Sequence, residues 1–80
     1  MTAKEFFEEI GFLLDEVTED YIVYACRSKE EACYVGFQLK KKYYMCFYNS
    51  EDNPYSQPLE ITYKLHRAIN KQIEELGWDK

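Results

Sequence analysis

Three β-rich runs occupy residues 21–48, YIVYACRSKEEACYVGFQLKKKYYMCFY, and they determine the predicted fold. Each run is short and rich in β-branched and aromatic side chains, which favour extended backbone. Charged segments at residues 28–31 and 40–42 separate the runs, as is typical of turns. The sequence therefore predicts a three-stranded antiparallel meander. Its strands are expected at residues 21–27, 32–39 and 43–48.

The first turn predicts the pairing of the first two strands. An antiparallel hairpin across residues 28–31 places alternate side chains of both strands on one largely apolar face. The expected pairs are Cys26 with Cys33, Tyr24 with Val35, and Ile22 with Phe37.

The second turn leaves two registers open, because a slip of one residue moves every side chain to the other face of the sheet. A three-residue turn directs Tyr43, Met45 and Phe47 to the apolar face. A two-residue turn directs the alternate side chains there, and these are Tyr44, Cys46 and Tyr48. We expect the three-residue turn because it buries more carbon.

A first helix is predicted to begin at Thr2, since Thr2 and Glu5 have the spacing of a capping box. Apolar side chains continue at helical spacing as far as Val17, and this stripe is expected to pack on the sheet. The stripe consists of Phe6, Ile10, Leu13, Leu14 and Val17, with Phe7 beside it.

A second helix is predicted from Pro58 to about Leu76, after the turn-rich residues 49–57. Gly77 suits a left-handed cap, with Trp78 in contact with the preceding turn near Ile73. The apolar stripe of this helix is Ile61, Leu65, Ala68, Ile69, Ile73 and Leu76. The resulting fold class is α+β in the order α-β-β-β-α, as one domain over residues 1–80, with both helices on one face of the sheet.

Composition limits the classes of function. The 80 residues carry 15 acidic against 10 basic side chains, a net charge of −5, which disfavours contact with phosphate backbones and anionic lipid. No apolar run reaches the ~20 residues that span a bilayer, and the N-terminus lacks the pattern of a signal peptide. We expect a cytoplasmic protein.

Catalytic and metal-binding motifs are not found in the sequence. The three cysteines form no C-x-x-C pair and are expected to be reduced thiols that pack in strands. His66 falls at the edge of the second apolar stripe, where a boundary or partly buried structural role is expected. No nucleophile, zinc or phosphate-binding motif occurs, so we expect no enzyme, no metal and no cofactor.

The order α-β-β-β-α is similar to that of double-stranded-RNA-binding domains. Those domains place lysines at the start of the last helix, where they contact phosphates. The corresponding residues here are Pro58, Leu59 and Glu60. Direct binding to nucleic acid is therefore not expected.

Two surfaces remain as candidates for binding a partner. Residues 1–31 carry nine acids against three bases, and helical arithmetic places the aromatic Phe12 among the acids as an interface anchor. The acidic candidates are Glu5, Glu9, Phe12, Glu16 and Glu19. The second surface consists of tyrosines expected on the sheet face opposite the core, which are Tyr21, Tyr34 and Tyr44.

These features predict a non-catalytic interaction protein that occupies a basic site on a partner protein. Phage-encoded nuclease or CRISPR inhibitors, and immunity proteins against nuclease toxins, illustrate this class, because carboxylates can replace phosphates on a basic groove. The alternative is a self-associating module whose tyrosine-rich face forms a homodimer. A small enzyme or ligand carrier with an unrecognised site is the third alternative.

Overall fold

The computed structural model describes residues 1–78 as an α+β fold, in which two helices cover one face of a five-stranded antiparallel sheet. The strands lie in the sheet in chain order, so the meander contains two more strands than the sequence predicts. The elements are α1 (Ala3–Glu9), β1 (Leu13–Val17), β2 (Tyr21–Arg27), β3 (Glu31–Gln38), β4 (Tyr43–Ser50), β5 (Gln57–Pro58) and α2 (Tyr63–Leu76).

The predicted pairing of β2 with β3 is confirmed. The backbone N–H of Ser28 donates to the carbonyl of Glu31 at 2.8 Å and closes the turn between these strands. The observed partners are Cys26 with Cys33, Tyr24 with Val35, and Ile22 with Phe37.

The expected register between β3 and β4 is wrong. Gln38 pairs with Tyr43, so four residues form the turn, and Tyr44 rather than Tyr43 or Met45 shares the helix-covered face with Phe37. The turn itself sets this register. The Gln38 side chain accepts the backbone N–H groups of Lys40 and Lys41, each at 2.9 Å, and Lys42 closes the turn with φ at 59°.

The first helix is much shorter than predicted. The capping box of Thr2 and Glu5 is present, but α1 ends at Glu9 and Gly11 has a φ of 86°, a left-handed conformation that glycine adopts without steric strain. The following residues form β1 against β2. The apolar side chains Leu13, Leu14 and Val17, assigned to the helical stripe, are 61%, 39% and 58% exposed on this edge strand.

The second helix begins later than predicted. Pro58 pairs with Phe47 in β5, and α2 starts only after Thr62, whose side chain accepts the N–H of Leu65 at 3.2 Å. The predicted C-terminal cap is confirmed, since Gly77 has a φ of 72° and the N–H of Trp78 donates to the carbonyl of Ile73.

Both helices cover the same face of the sheet, as predicted. Phe7 of α1 stacks on Tyr24 of β2 with ring centroids 3.9 Å apart, and Phe37 of β3 meets both rings edge-on. A glutamate of α2 ties the helices together, because the N–H of Ala3 donates to Glu75 at 2.7 Å. The buried core consists of Phe7, Phe12, Tyr24, Val35, Phe37, Leu65, Ala68 and Ile69.

Candidate protein-binding surface

The second face of the sheet, which we call the open face, carries no helix within residues 1–78. Strand pairing aligns its side chains in rows, and the longest row is apolar and crosses all five strands. The members of that row are Leu13, Ala25, Tyr34, Phe47 and Pro58.

The next row crosses the centre of the open face. It places Glu16 beside Val23, Val23 beside Gly36, and Gly36 beside Met45. Met45 is 56% exposed, although methionine is an apolar side chain that usually packs in interiors. Apart from Glu16 at the β1 end of the second row, the two rows form an apolar surface over the middle of the sheet, which is the kind of patch that marks binding sites.

A hollow of about 190 Å³ lies over Gly36 on the open face. The residues that line it are mainly aromatic or aliphatic and include Tyr21, Val23, Tyr43, Met45 and Phe47. A Cβ atom added at Gly36 would meet no heavy atom closer than Val23 Cγ2 at 3.9 Å. The hollow therefore exists because residue 36 has no side chain, and no close backbone approach requires glycine there.

Acidic residues border the open face along β1 and the turn that follows. The Tyr21 hydroxyl donates to Glu16 Oε1 at 3.1 Å, and this hydrogen bond raises the pKa of Tyr21 because the carboxylate disfavours the phenolate. Glu19 lies exposed in the turn between β1 and β2. This border presents carboxylates next to aromatic rings.

An ion pair is built into the same face. Arg27 Nη1 lies 2.9 Å from Asp15 Oδ1, and the guanidinium carbon is 5.6 Å from the centre of the Tyr34 ring. The hydrogen bond from Arg27 lowers the pKa of Asp15 and raises that of Arg27. The open face thus already holds one arginine between an aromatic ring and a carboxylate.

The predicted acidic surface is divided by the fold. Glu5 caps α1 by accepting the Thr2 N–H at 2.8 Å, which lowers the pKa of Glu5, and Glu9 lies exposed on the same helix. Glu16 and Glu19 lie on the β1–β2 hairpin instead. Phe12, expected as an exposed anchor among these acids, is 8% exposed and packs in the core against Phe7. The prediction of one acidic helical face is wrong because the helix ends before Gly11.

The predicted tyrosine surface is partly present. Tyr21 and Tyr34 lie on the open face, and the Tyr34 ring stacks on Phe47 at 5.1 Å. Tyr44 lies on the other face, where its ring is 5.9 Å from Phe37. The residues that replace it on the open face are Tyr43, Met45 and Phe47. The length of the turn after Gln38 is the signal that would have placed them there.

A second depression lies between the helices. Its volume is about 320 Å³, and its apolar part is formed by Phe6 and Ile10. Arg67 covers the Phe6 ring at 5.3 Å, and Glu9 also lines the depression. His66 is exposed on α2, so of its two predicted positions, boundary or partly buried, the partly buried one is wrong.

The three cysteines lie on the helix-covered face as free, partly buried thiols. Burial raises the pKa of the Cys33 and Cys46 thiols. Across residues 1–78, no three His, Cys, Asp or Glu side chains are grouped so as to hold a metal ion. In the same part of the chain, no helix has both the length and the apolar character to cross a membrane.

Comparison of the chain with protein-family models, curated proteins and solved structures finds no match.

Proposed function

We propose that this chain is a non-catalytic interaction protein that binds a basic surface of another protein through the open face of its sheet. The observation that carries the proposal is the apolar row across all five strands, which ends in Leu13 with 61% of its surface exposed. Burial of apolar surface is the dominant favourable contribution in most protein–protein association.

The acidic border supports a basic partner. Glu16 and Glu19 flank the apolar rows, and the whole chain has a net charge of −5. Complementary charge around an apolar centre steers a partner into place and excludes competitors of the wrong charge. An inhibitor that occupies the nucleic-acid site of its target suits this surface, since carboxylates present the charge that phosphates would present.

Free cysteines suit a reducing compartment such as the cytoplasm.

Affinity capture with matched variants tests the proposal. Met45→Lys places a charge at the centre of the open face, and Tyr63→Lys places one at a site on α2 that is 74% exposed. A partner captured by the wild-type chain should be lost with Met45→Lys, retained with Tyr63→Lys, and released by raised salt. Capture that survives Met45→Lys contradicts the use of the open face.

Self-association is the second candidate, and one charge pattern favours it. The turn between β3 and β4 carries Lys40, Lys41 and Lys42, while the opposite end of the same hairpin carries Glu31 and Glu51. Two copies stacked face to face with their strands reversed would place each basic end over an acidic end. Sedimentation velocity at rising concentration tests this candidate, because a dimer through the open face should disappear in Met45→Lys.

A further inference from the structure

The hollow over Gly36 has the chemistry of a pocket for one side chain. Its walls include the rings of Tyr21, Tyr43 and Phe47, and its volume is about 190 Å³. Anchor side chains in protein interfaces fill such pockets near the centre of the contact.

A carboxylate stands at the edge of this hollow. Glu16 is next to Val23 in the same row, and Glu16 Oε1 is 3.1 Å from the hydroxyl of Tyr21, which lines the hollow. None of the ion pairs within residues 1–78 involves Glu16. The hollow therefore combines an apolar floor, aromatic walls and a negative charge at the rim.

The same face shows what such a combination binds. Arg27 is held with its guanidinium over the Tyr34 ring at 5.6 Å and paired with Asp15 at 2.9 Å. At the opposite end of β2, Tyr21 is also associated with a carboxylate, that of Glu16. No arginine from residues 1–78 is paired with this carboxylate.

We infer that the hollow over Gly36 receives an arginine side chain of the basic partner, an inference that rests on the proposed function. The aliphatic stem of the arginine lies over Gly36 and Val23, and the guanidinium reaches Glu16 alongside Tyr21. Arginine fits better than lysine because its planar head stacks on rings and pairs with a carboxylate at the same time.

A second copy of the chain is a poor source of this arginine. The sequence contains two arginines, Arg27 and Arg67. Arg27 is engaged by Asp15 and Tyr34, and Arg67 lies over Phe6 on the helix side, at 5.3 Å from the ring centre. The rim carries the negative charge of Glu16, and both arginines of this chain already contact other side chains. The arginine that occupies the hollow therefore comes from a different protein.

Short peptides test the inference without knowledge of the partner. The probes are the capped tripeptides Ala-Arg-Ala, Ala-citrulline-Ala and Ala-Leu-Ala, titrated into the ¹⁵N-labelled chain and followed by amide chemical shifts. Citrulline keeps the shape of arginine without the charge. We expect saturable shifts at Tyr21, Val23, Gly36 and Met45, with the arginine peptide binding about threefold or more tighter than citrulline, the scale of one exposed charge pair.

Two variants and one matched control test whether the peptide binds in the hollow. Glu16→Gln should remove the preference for arginine over citrulline, and Gly36→Val should remove the shifts themselves because the added side chain fills the hollow. The matched control is Glu9→Gln on α1, which should change neither result. Amide spectra of each variant without peptide establish that the fold is retained.

Equal binding of arginine and citrulline, or shifts confined to another surface, would overturn the inference. Preference for the leucine peptide on the open face would also overturn it, while the proposed function would stand with an apolar anchor. If no peptide moves the open face but partner capture still depends on Met45, the arginine inference alone fails. If capture is also indifferent to Met45→Lys, both fail.

Discussion

Gly36 lies directly opposite Met45 in the sheet, and the space over Gly36 is left open by the absence of a side chain. Glycine within a strand weakens the strand by about 0.5–1 kcal/mol relative to alanine. We therefore expect Gly36→Ala to raise the free energy of unfolding by roughly 0.4–1 kcal/mol, measured by urea denaturation. Gly36 is then a residue that lowers stability although no steric contact requires glycine. We expect such a residue where the open space serves binding.

Gly11→Ala is the matched control for that measurement and should have the opposite sign. Gly11 has a φ of 86°, and an added Cβ would lie 3.5 Å from Cys26 Sγ. Alanine is strained at this φ, so we expect a loss of about 1 kcal/mol or more. Stabilisation by Gly11→Ala would contradict the left-handed conformation of Gly11 in the chain reversal after α1.

A buried hydrogen bond joins the sheet to α2 and gives a stability prediction. The Tyr24 hydroxyl donates to Gln72 Oε1 at 2.6 Å, and the two residues are 3% and 6% exposed. Tyr24→Phe leaves the Gln72 carbonyl without this partner, which should cost about 1–3 kcal/mol. In a double-mutant cycle, adding Gln72→Leu to Tyr24→Phe should recover part of that loss, and strict additivity would contradict the coupling.

The same tyrosine predicts how stability depends on alkaline pH. Burial raises the pKa of Tyr24 from 10.0 to about 12 in the folded chain. A raised pKa gives stability that is complete below pH 10 and is lost as the pH rises through about 12. Unfolding should therefore become easier by up to about 3 kcal/mol over this interval. The pH dependence of the free energy of unfolding should be much weaker in Tyr24→Phe. If it is unchanged in this variant, other titrating groups cause the loss of stability.

The thiols provide a chemical test. All three cysteines are free, and burial raises the pKa of Cys33 and Cys46, which lowers the thiolate fraction at neutral pH. A thiol reagent should react slowly with the folded chain, and three thiols per chain should titrate after unfolding without reductant. Recovery of a single thiol would reveal a native disulfide and contradict the prediction.

Local patterns predicted β2 and β3 correctly because a four-residue charged turn leaves little freedom in pairing Cys26 with Cys33. Local patterns fail where the same residues fit both the period of a helix and the period of a strand. Leu13 and Val17 suit a helical stripe, but they also suit a strand, and Gly11 decides in favour of the strand by ending the helix. The spacing of apolar residues alone does not distinguish the strand from the helix, because formation of the strand depends on tertiary pairing with β2.

The candidate site was predictable only in part for the same reason. Tyr21 and Tyr34 followed from the β2–β3 register, whereas Met45 depended on how the Gln38 side chain shapes the next turn. Helical spacing predicts Phe12 among acids on the first helix, but α1 ends at Glu9. Its burial follows from the chain reversal after α1, where the N–H of Phe12 donates to the carbonyl of Phe7 at 2.9 Å.

The most direct test of the open face as the binding surface compares two charge reversals on opposite sides of the molecule. Glu16→Lys changes the rim of the open face, and Glu9→Lys changes an exposed site on α1. Both should leave stability within about 0.5 kcal/mol, as is usual for surface substitutions. Measured by calorimetric titration at low salt against the captured partner, Glu16→Lys should weaken binding strongly and Glu9→Lys should not. Equal loss in both variants, or loss with Glu9→Lys alone, would contradict the account.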